Sequence, residues 1–300
     1  MSSSPDAATE IFVEHRNLLF TVAYELLGSA ADAEDVLQEA WLRWARVDLD
    51  EVRDPRAYLV RIVTRQGLDR LRLLGRRRES YVGPWLPEPL LTSPDVADDV
   101  ELAESVSLAM LLVLETLSPT ERAVFVLREV FALGYDELAA AVDKTPAAVR
   151  QIAHRAREHV AARRPRGEVS REEAGVALQA FQRAVETGDL QGLVDRLAPD
   201  VVLLGDGGGV VPATLEPLVG ADRILQQLSL RMPIPGLESI EQVMINGWPA
   251  LVLRGDGKIN TVLTLRLDGA LVTGIYLVRN PAKLSRLAQP TMITRSPAGR

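Results

Sequence analysis

Apolar residues recur three and four positions apart through "IFVEHRNLLFTVAYELLG", "ADAEDVLQEAWLRWARV" and "PRAYLVRIVTRQGLDRLRLLG", which predicts helices between Ile11 and Arg78. Gly28 and Gly75 stand where C-terminal caps are expected, and Pro55 suits the first turn of the third helix. The period fails over "ESYVGPWLPEPLLTSPDVADDVELAES", where prolines at 84, 87, 89 and 94 and acids between Asp95 and Glu104 predict an extended linker. Trp85 within it is expected to dock on a neighbouring domain. Helical spacing returns from Val106 to Arg163. It is broken at "LSPTER", where Ser118 is an N-cap, Pro119 the first helical residue and Glu121 a nearby acid favouring the helix dipole.

Beyond the basic stretch "ARRPRGEV" the rhythm changes. Ser170 and Glu173 form a capping box for "REEAGVALQAFQRAVETG", and Asp189 is expected to open a second helix ending near Pro199. From Asp200 onward "VVLLGD", "SIEQVMI", "ALVLRG", "INTVLTLRL" and "LVTGIYLVR" read as mostly antiparallel strands separated by Gly-rich turns. The expected fold is multidomain: two all-α units, the second with a helix-turn-helix, followed by an α+β unit.

Composition narrows the chemistry. A chain of 300 residues, 47% apolar and 25% charged, is long enough for two or three cored units. Cysteine is absent, which excludes disulfides, thiolate nucleophiles and thiolate zinc sites, so no metal or cofactor is expected. "MSSSPDAATE" has no leader pattern and "SLAMLLVLETL" is too short and interrupted to span a bilayer, so a cytoplasmic protein without membrane contact is expected. His15, His154 and His159 all precede the α+β unit, which removes a histidine dyad there and leaves Asp206, Asp222 and Tyr276 as acid-base candidates. Asp206 lies in a Gly-rich turn, where a carboxylate ordinarily accepts from local backbone N–H groups, and no enzymatic activity is expected.

The net charge of −7 is unevenly spread. Asp32, Glu34, Asp35 and Glu39 load the second helix, whereas Arg53, Arg56, Arg61, Arg65, Arg70, Arg72, Arg76, Arg77 and Arg78 gather on and around the third. Two partners of opposite sign are implied. A second basic surface follows "YDELAAAV", where Asp143 to Thr145 make a turn and Thr145 with Pro146 start the next helix. Val149, Ile152, Ala153 and Ala156 share its inner face; Ala147, Gln151 and His154 point away, flanked by Arg150 and Arg155, as a helix-turn-helix recognition helix requires. Arg150 and Gln151 carry donors for base edges, and Lys144, Thr145, Arg157, Arg163 and Arg164 suit phosphate.

"DAEDVLQEAWLRW", "DPRAYLVRIVTRQGLDRLR" and "LSPTERAVFVLREVFALGYDELAAAVDKTPAAVRQIAHRAR" resemble, in order, region 2 and region 4 of an extracytoplasmic-function (ECF) sigma factor. The resemblance implies region 2 over residues 8–79, a linker over 80–104 and region 4 over 105–164. It also implies that Asp35, Gln38 and Glu39 meet the beta-prime clamp helices of core RNA polymerase. Arg53, Arg56, Arg61, Arg65 and Arg72 would then lie on the melted minus-ten strand of promoter DNA, and the Lys144 to His159 helix on the minus-thirty-five element. Arg65 stands where many members carry asparagine.

Three further motifs are similar to those of the subgroup with a SnoaL-like C-terminal extension: "YVGPWLPEP" with Trp85 and Pro87, "DGGGVV" with Asp206, Gly207, Gly208 and Gly209, and "NPAKL" with Asn280, Pro281, Lys283 and Leu284. Val210 replaces a lysine usual in the second. This likeness implies a cone-shaped regulatory domain over 168–290, acting in cis, with an apolar pocket that admits a small apolar ligand. Two rival functions are a ligand-responsive helix-turn-helix repressor, which needs neither the Asp35 and Glu39 face nor a second arginine row, and an isomerase or cyclase tethered to DNA.

Overall fold

Gly28, at φ +65°, reverses the chain between α1 (Pro5–Leu27) and α2 (Ala30–Trp44), and Ser29 caps α2 by accepting from the Asp32 N–H. The computed structural model describes residues 5–93, 99–164, 169–231 and 234–296; Pro94, Asp95 and Arg166 lie outside the described residues. With α3 (Pro55–Arg78), α1 and α2 enclose the wholly buried Trp44, whose Nε1 donates to the Ala8 carbonyl at 2.8 Å.

The second helical unit holds α4 (Val100–Val106), α5 (Leu108–Leu114), α6 (Pro119–Phe125) running into a π-helical turn at Val126–Val130, α7 (Tyr135–Val142) and α8 (Pro146–Ala161). The stretch expected to be linker up to residue 104 is therefore helical from Val100. The Asp99 side chain accepts from the Leu102 N–H, and burial of Leu102, Ala103 and Val106 then outweighs the acidity of the segment. Glu121 does more than favour the dipole. It is the third helical residue and closes a capping box with Ser118.

The two helical units share one apolar core. Along α3, Leu59, Val60, Val63, Leu68 and Leu71 are buried and Ile62 and Leu74 pack against the same core. A helix apolar on several faces must be covered from several sides; α1 and α2 cover it from one unit, α6 and α7 from the other. Polar groups are buried at this junction: Arg122 Nε donates to the Glu25 carbonyl at 3.0 Å, Ser105 Oγ donates to Glu25 Oε1 at 3.0 Å, and Glu115 pairs with both Arg78 and Arg122.

The α+β unit runs α9 (Arg171–Thr187), the single turn α10 (Gln191–Val194), β1 (Leu197–Asp206), β2 (Leu218–Val219), α11 (Ala221–Ser229), β3 (Ser239–Ile245), β4 (Trp248–Gly255), β5 (Lys258–Asp268), β6 (Leu271–Val278) and α12 (Pro281–Leu284). Strand order is β2-β1-β6-β5-β4-β3, with only β1 and β6 parallel. The helix expected to end near Pro199 stops at Val194. Pro199 lies within β1, inside a register irregularity between Leu197 and Val202, where a residue without an N–H costs little. Helix α11 was not legible in the apolar pattern; Ile224 is its one fully buried residue.

Side chains alternate across the sheet. Leu251, Leu253, Leu263 and Ile275 face Leu178, Phe181 and Val185 of α9. Ala250, Val252, Val262, Tyr276 and Val278 face the other way, onto Leu86 of the linker, Leu108 of α5, and Leu284 and Leu287. The extension therefore covers one sheet face itself and relies on the linker and α5 for much of the other. The chain end also returns to the helices: Ile293 enters their core, Thr294 N–H donates to Thr21 Oγ1 at 2.9 Å, and Arg295 pairs with Asp99 and Glu101. Among the described residues no helix is long and apolar enough to cross a membrane.

Burial pushes the Glu25 carboxyl up from 4.5 to about 8, against the opposing effects of Ser105 and Arg122. Between those values the folded protein keeps a proton that the unfolded chain releases, so this group's contribution to stability falls as pH rises, by up to about 1.4 kcal/mol per pH unit. Glu88, also raised by burial, acts in the same direction. Urea denaturation from pH 5 to 8 should therefore show stability declining, with a shallower decline in Glu25→Gln; an unchanged slope would exclude Glu25 as its source.

Candidate polymerase and DNA surfaces and the clamp between them

Asp35, Gln38 and Glu39 lie exposed on α2. The acidic and basic helices do not simply face separate partners, because Arg70 of α3 binds Asp32 at 2.5 Å and Asp35 at 2.9 Å. Arg53 is exposed, Arg56 is half-buried, Arg61 stacks over the Tyr58 ring at 4.8 Å, and Arg72 pairs with Asp69 at 2.7 Å. Arg65 is exposed yet committed: its guanidinium donates to the Ala140 carbonyl of α7 at 3.0 Å.

On the second basic surface, Asp143 adopts the left-handed region at φ 54° and Thr145 caps α8 through the Ala148 N–H. Val149, Ile152, Ala153 and Ala156 are buried, while Lys144, Thr145, Ala147, Arg150, Gln151, His154, Arg155 and Arg157 are exposed. Several are oriented by neighbours: Arg150 over the Tyr135 ring at 5.3 Å, Arg155 toward Glu121 at 3.7 Å and Arg157 onto Glu129 at 2.9 Å. Arg164, expected on phosphate, is paired with Glu104.

The three extension motifs converge on one clamp. Asp206, wholly buried, accepts from Lys283 Nζ at 2.7 Å, the Tyr81 hydroxyl at 2.6 Å, the Leu86 N–H at 2.9 Å and the Gly208 N–H at 3.0 Å. The expected local turn bond is thus one of four; the others tie β1 to the linker and α12. Asn280 donates to the Tyr81 hydroxyl at 2.9 Å, and a Cβ on Gly208 would overlap its amide. Burial pulls the Lys283 ammonium down to about 8 despite the opposing charge of Asp206. Trp85 packs against Gly28 and carries two cations over its ring, Arg78 at 3.5 Å and Lys283 at 4.2 Å, which meets the docking expectation. Pro87 and Leu284 are buried, while Gly209, Val210 and Pro281 are exposed. Asp206 is saturated with donors, Tyr276 is buried in the sheet and Asp222 is exposed on α11.

Sequence reasoning missed a second junction. Asn246, at φ 54° in the β3–β4 turn, is wholly buried. Its Nδ2 donates to the Tyr24 hydroxyl at 2.6 Å and the Val106 carbonyl at 2.8 Å, its Oδ1 accepts from the Leu90 N–H at 2.8 Å, and its own N–H donates to the Leu90 carbonyl at 2.9 Å. Glu88, in the quoted linker motif but also missed, accepts from the Ala30 and Ala31 N–H groups at the start of α2 at 2.8 and 3.3 Å. The available signal was "ING", since Asn-Gly between apolar alternations marks a tight hairpin.

Removing Lys283 leaves the Asp206 carboxylate buried without its cation. Lys283→Met should destabilise the protein by about 3–5 kcal/mol and open the segment from Tyr81 to Leu91 to protease. Asp206→Asn with Lys283→Met should recover part of the loss. A single variant as stable as the parent would contradict the clamp.

Residues 11–77 match the Sigma-70 region 2 family and residues 107–160 match Sigma-70 region 4. The chain is 37% identical over 298 residues to the ECF RNA polymerase sigma factor SigJ of Mycobacterium tuberculosis, covering 92% of this chain and 95% of that protein. It is 32% identical over 289 residues to the probable ECF RNA polymerase sigma factor SigI of the same species, covering 95% and 97%. The crystal structure of M. tuberculosis SigJ superposes with a TM-score of 0.71 at 31% identity, covering 93% of this chain and 99% of that one, helices and α+β extension alike. With the helix-turn-helix, the region 2 helices and near full-length likeness in agreement, the chain belongs to the extracytoplasmic-function sigma factors, which direct RNA polymerase to promoters.

Proposed function

We propose that the C-terminal extension regulates this sigma factor in cis by holding regions 2 and 4 in one closed body, and that initiation requires this body to open. The observation that supports the reading is the bond from Arg65 of α3 to the Ala140 carbonyl of α7: α3, read as the minus-ten helix, lies against the first helix of the helix-turn-helix. Promoter elements centred about 25 base pairs apart lie about 85 Å apart along B-DNA. Two regions sharing one core do not reach both.

Asp35, Gln38 and Glu39 stay exposed in the closed form, so the beta-prime clamp helices have access before opening. Arg53, Arg56, Arg61, Arg65 and Arg72 would then take the melted strand, with Arg150 and Gln151 on base edges and Lys144, Thr145, Arg155 and Arg157 along the minus-thirty-five backbone. Trp85, Pro87 and the Asp206, Asn280 and Lys283 clamp act as the latch, and the polymerase supplies the competing contacts that shift the population. No catalytic step is assigned to the chain.

Promoter-directed transcription with purified core polymerase tests this reading. Truncation after Arg164 and Asn246→Ala should each raise specific initiation several-fold over the full chain. Equal output from folded variants would refute cis inhibition.

A further inference from the structure

A cavity of about 820 Å³ lies between the second helical unit and the sheet, within the range of about 300–1,000 Å³ used by small-molecule sites. Leu108, Met110 and Val113 of α5 form one wall, and Ile245, Leu265 and Leu267 the other. It is not the pocket expected inside the extension, since both partners of the junction build it.

Its polar groups are distinctive. Thr264 Oγ1, Trp248 Nε1 and Arg171 Nε all belong to residues lining the cavity, and each is buried without a hydrogen-bond partner among the described residues. Thr264 is only 5% exposed. A buried donor left unpaired costs about 1–3 kcal/mol, and these come from three elements around one void. The charges also lean one way. Among the described residues lining the cavity, one acid, Glu104, stands against three cations, Arg164, Arg171 and Arg266; Glu104 is paired with Arg164, and Arg266 donates to Thr273 at 3.0 and 3.2 Å.

We infer that this cavity binds an amphipathic anion, a largely apolar small molecule with one carboxylate or sulfonate-like group, its charge met by Arg171 and Arg266 and its oxygens accepting from Thr264 and Trp248 once these buried, unpaired groups turn toward the void. Because α5 and the sheet both line the site, such a ligand binds the closed arrangement best and opposes its opening. That consequence rests on the cis-inhibition reading; the binding itself does not.

The test uses the full-length chain and 8-anilinonaphthalene-1-sulfonate, an apolar fluorophore with one anionic group. Expected is saturable binding at one site per chain, with energy transfer from tryptophan that Trp248→Phe reduces, Trp41, Trp44 and Trp85 remaining as donors. Thr264→Val, nearly isosteric, should weaken binding about tenfold, and Ala109→Phe, which fills the cavity, should abolish it. N-phenyl-1-naphthylamine, lacking the sulfonate, should bind at least about tenfold more weakly. No saturable binding to the folded chain, or binding indifferent to Thr264→Val, would overturn the site; equal binding of the neutral probe would overturn its anion preference. If Ala109→Phe does not fold, Thr264→Val and the probe pair still decide. Extension-dependent transcription without probe binding would leave cis inhibition standing and remove the ligand site.

Discussion

The amide of Asn246 is the constraint on which the closed architecture depends. It is buried, and its two ends bond three separate parts of the chain: Tyr24 of region 2, Leu90 of the linker and Val106 of the second helical unit. Water replaces those partners only once the domains part, so full opening costs the net value of three hydrogen bonds, about 0.5–1.5 kcal/mol each, and any partial opening leaves the amide buried and unpaired. The neighbouring Gly247 keeps the approach close: at φ +72°, it leaves room where a Cβ would stand 2.7 Å from Ala103 Cβ.

The same economy governs the rest of the molecule. One face of the extension sheet is covered by its own α9 and the other largely by the linker and α5, so much of its apolar surface is buried only while the domains are joined. Glu88 reaches from the linker to the first N–H groups of α2, which links the clamp to the helix whose outer face bears Asp35, Gln38 and Glu39. In the proposed reading, a contact made on α2 is thus one bond removed from the latch. The acidic total and the basic DNA surfaces are compatible because the field that DNA meets is local, not the sum over the chain.

The helical units and most strands were legible because their apolar spacing is regular and their caps are strong: Ser118, Thr145 and Ser170 all cap as their sequence context requires. The three extension motifs were legible as motifs, but their convergence was not, since residues 81, 206 and 283 meet only through tertiary folding. Helix α4 was hidden by its acids and by the prolines before it. The closed packing of α3 on α7 left one trace, apolar residues on more than one face of α3, which a reading for two separate domains assigns to a single core. At Asn246 the sequence signals the hairpin but not the burial: a polar turn residue is expected at the surface, and only the structure places it inside.

The chain has no cysteine, so paired labels can be introduced without background. The most direct measurement of the closed state is the distance between spin labels at Leu73→Cys on α3 and Ala162→Cys at the end of α8, both exposed positions, taken on the free protein and on the initiation complex with core polymerase and promoter DNA. A single short distance in the free protein that lengthens by tens of ångströms in the complex, on the scale set by about 25 base pairs of DNA, is the predicted result. The same short distance in a transcribing complex would contradict the account.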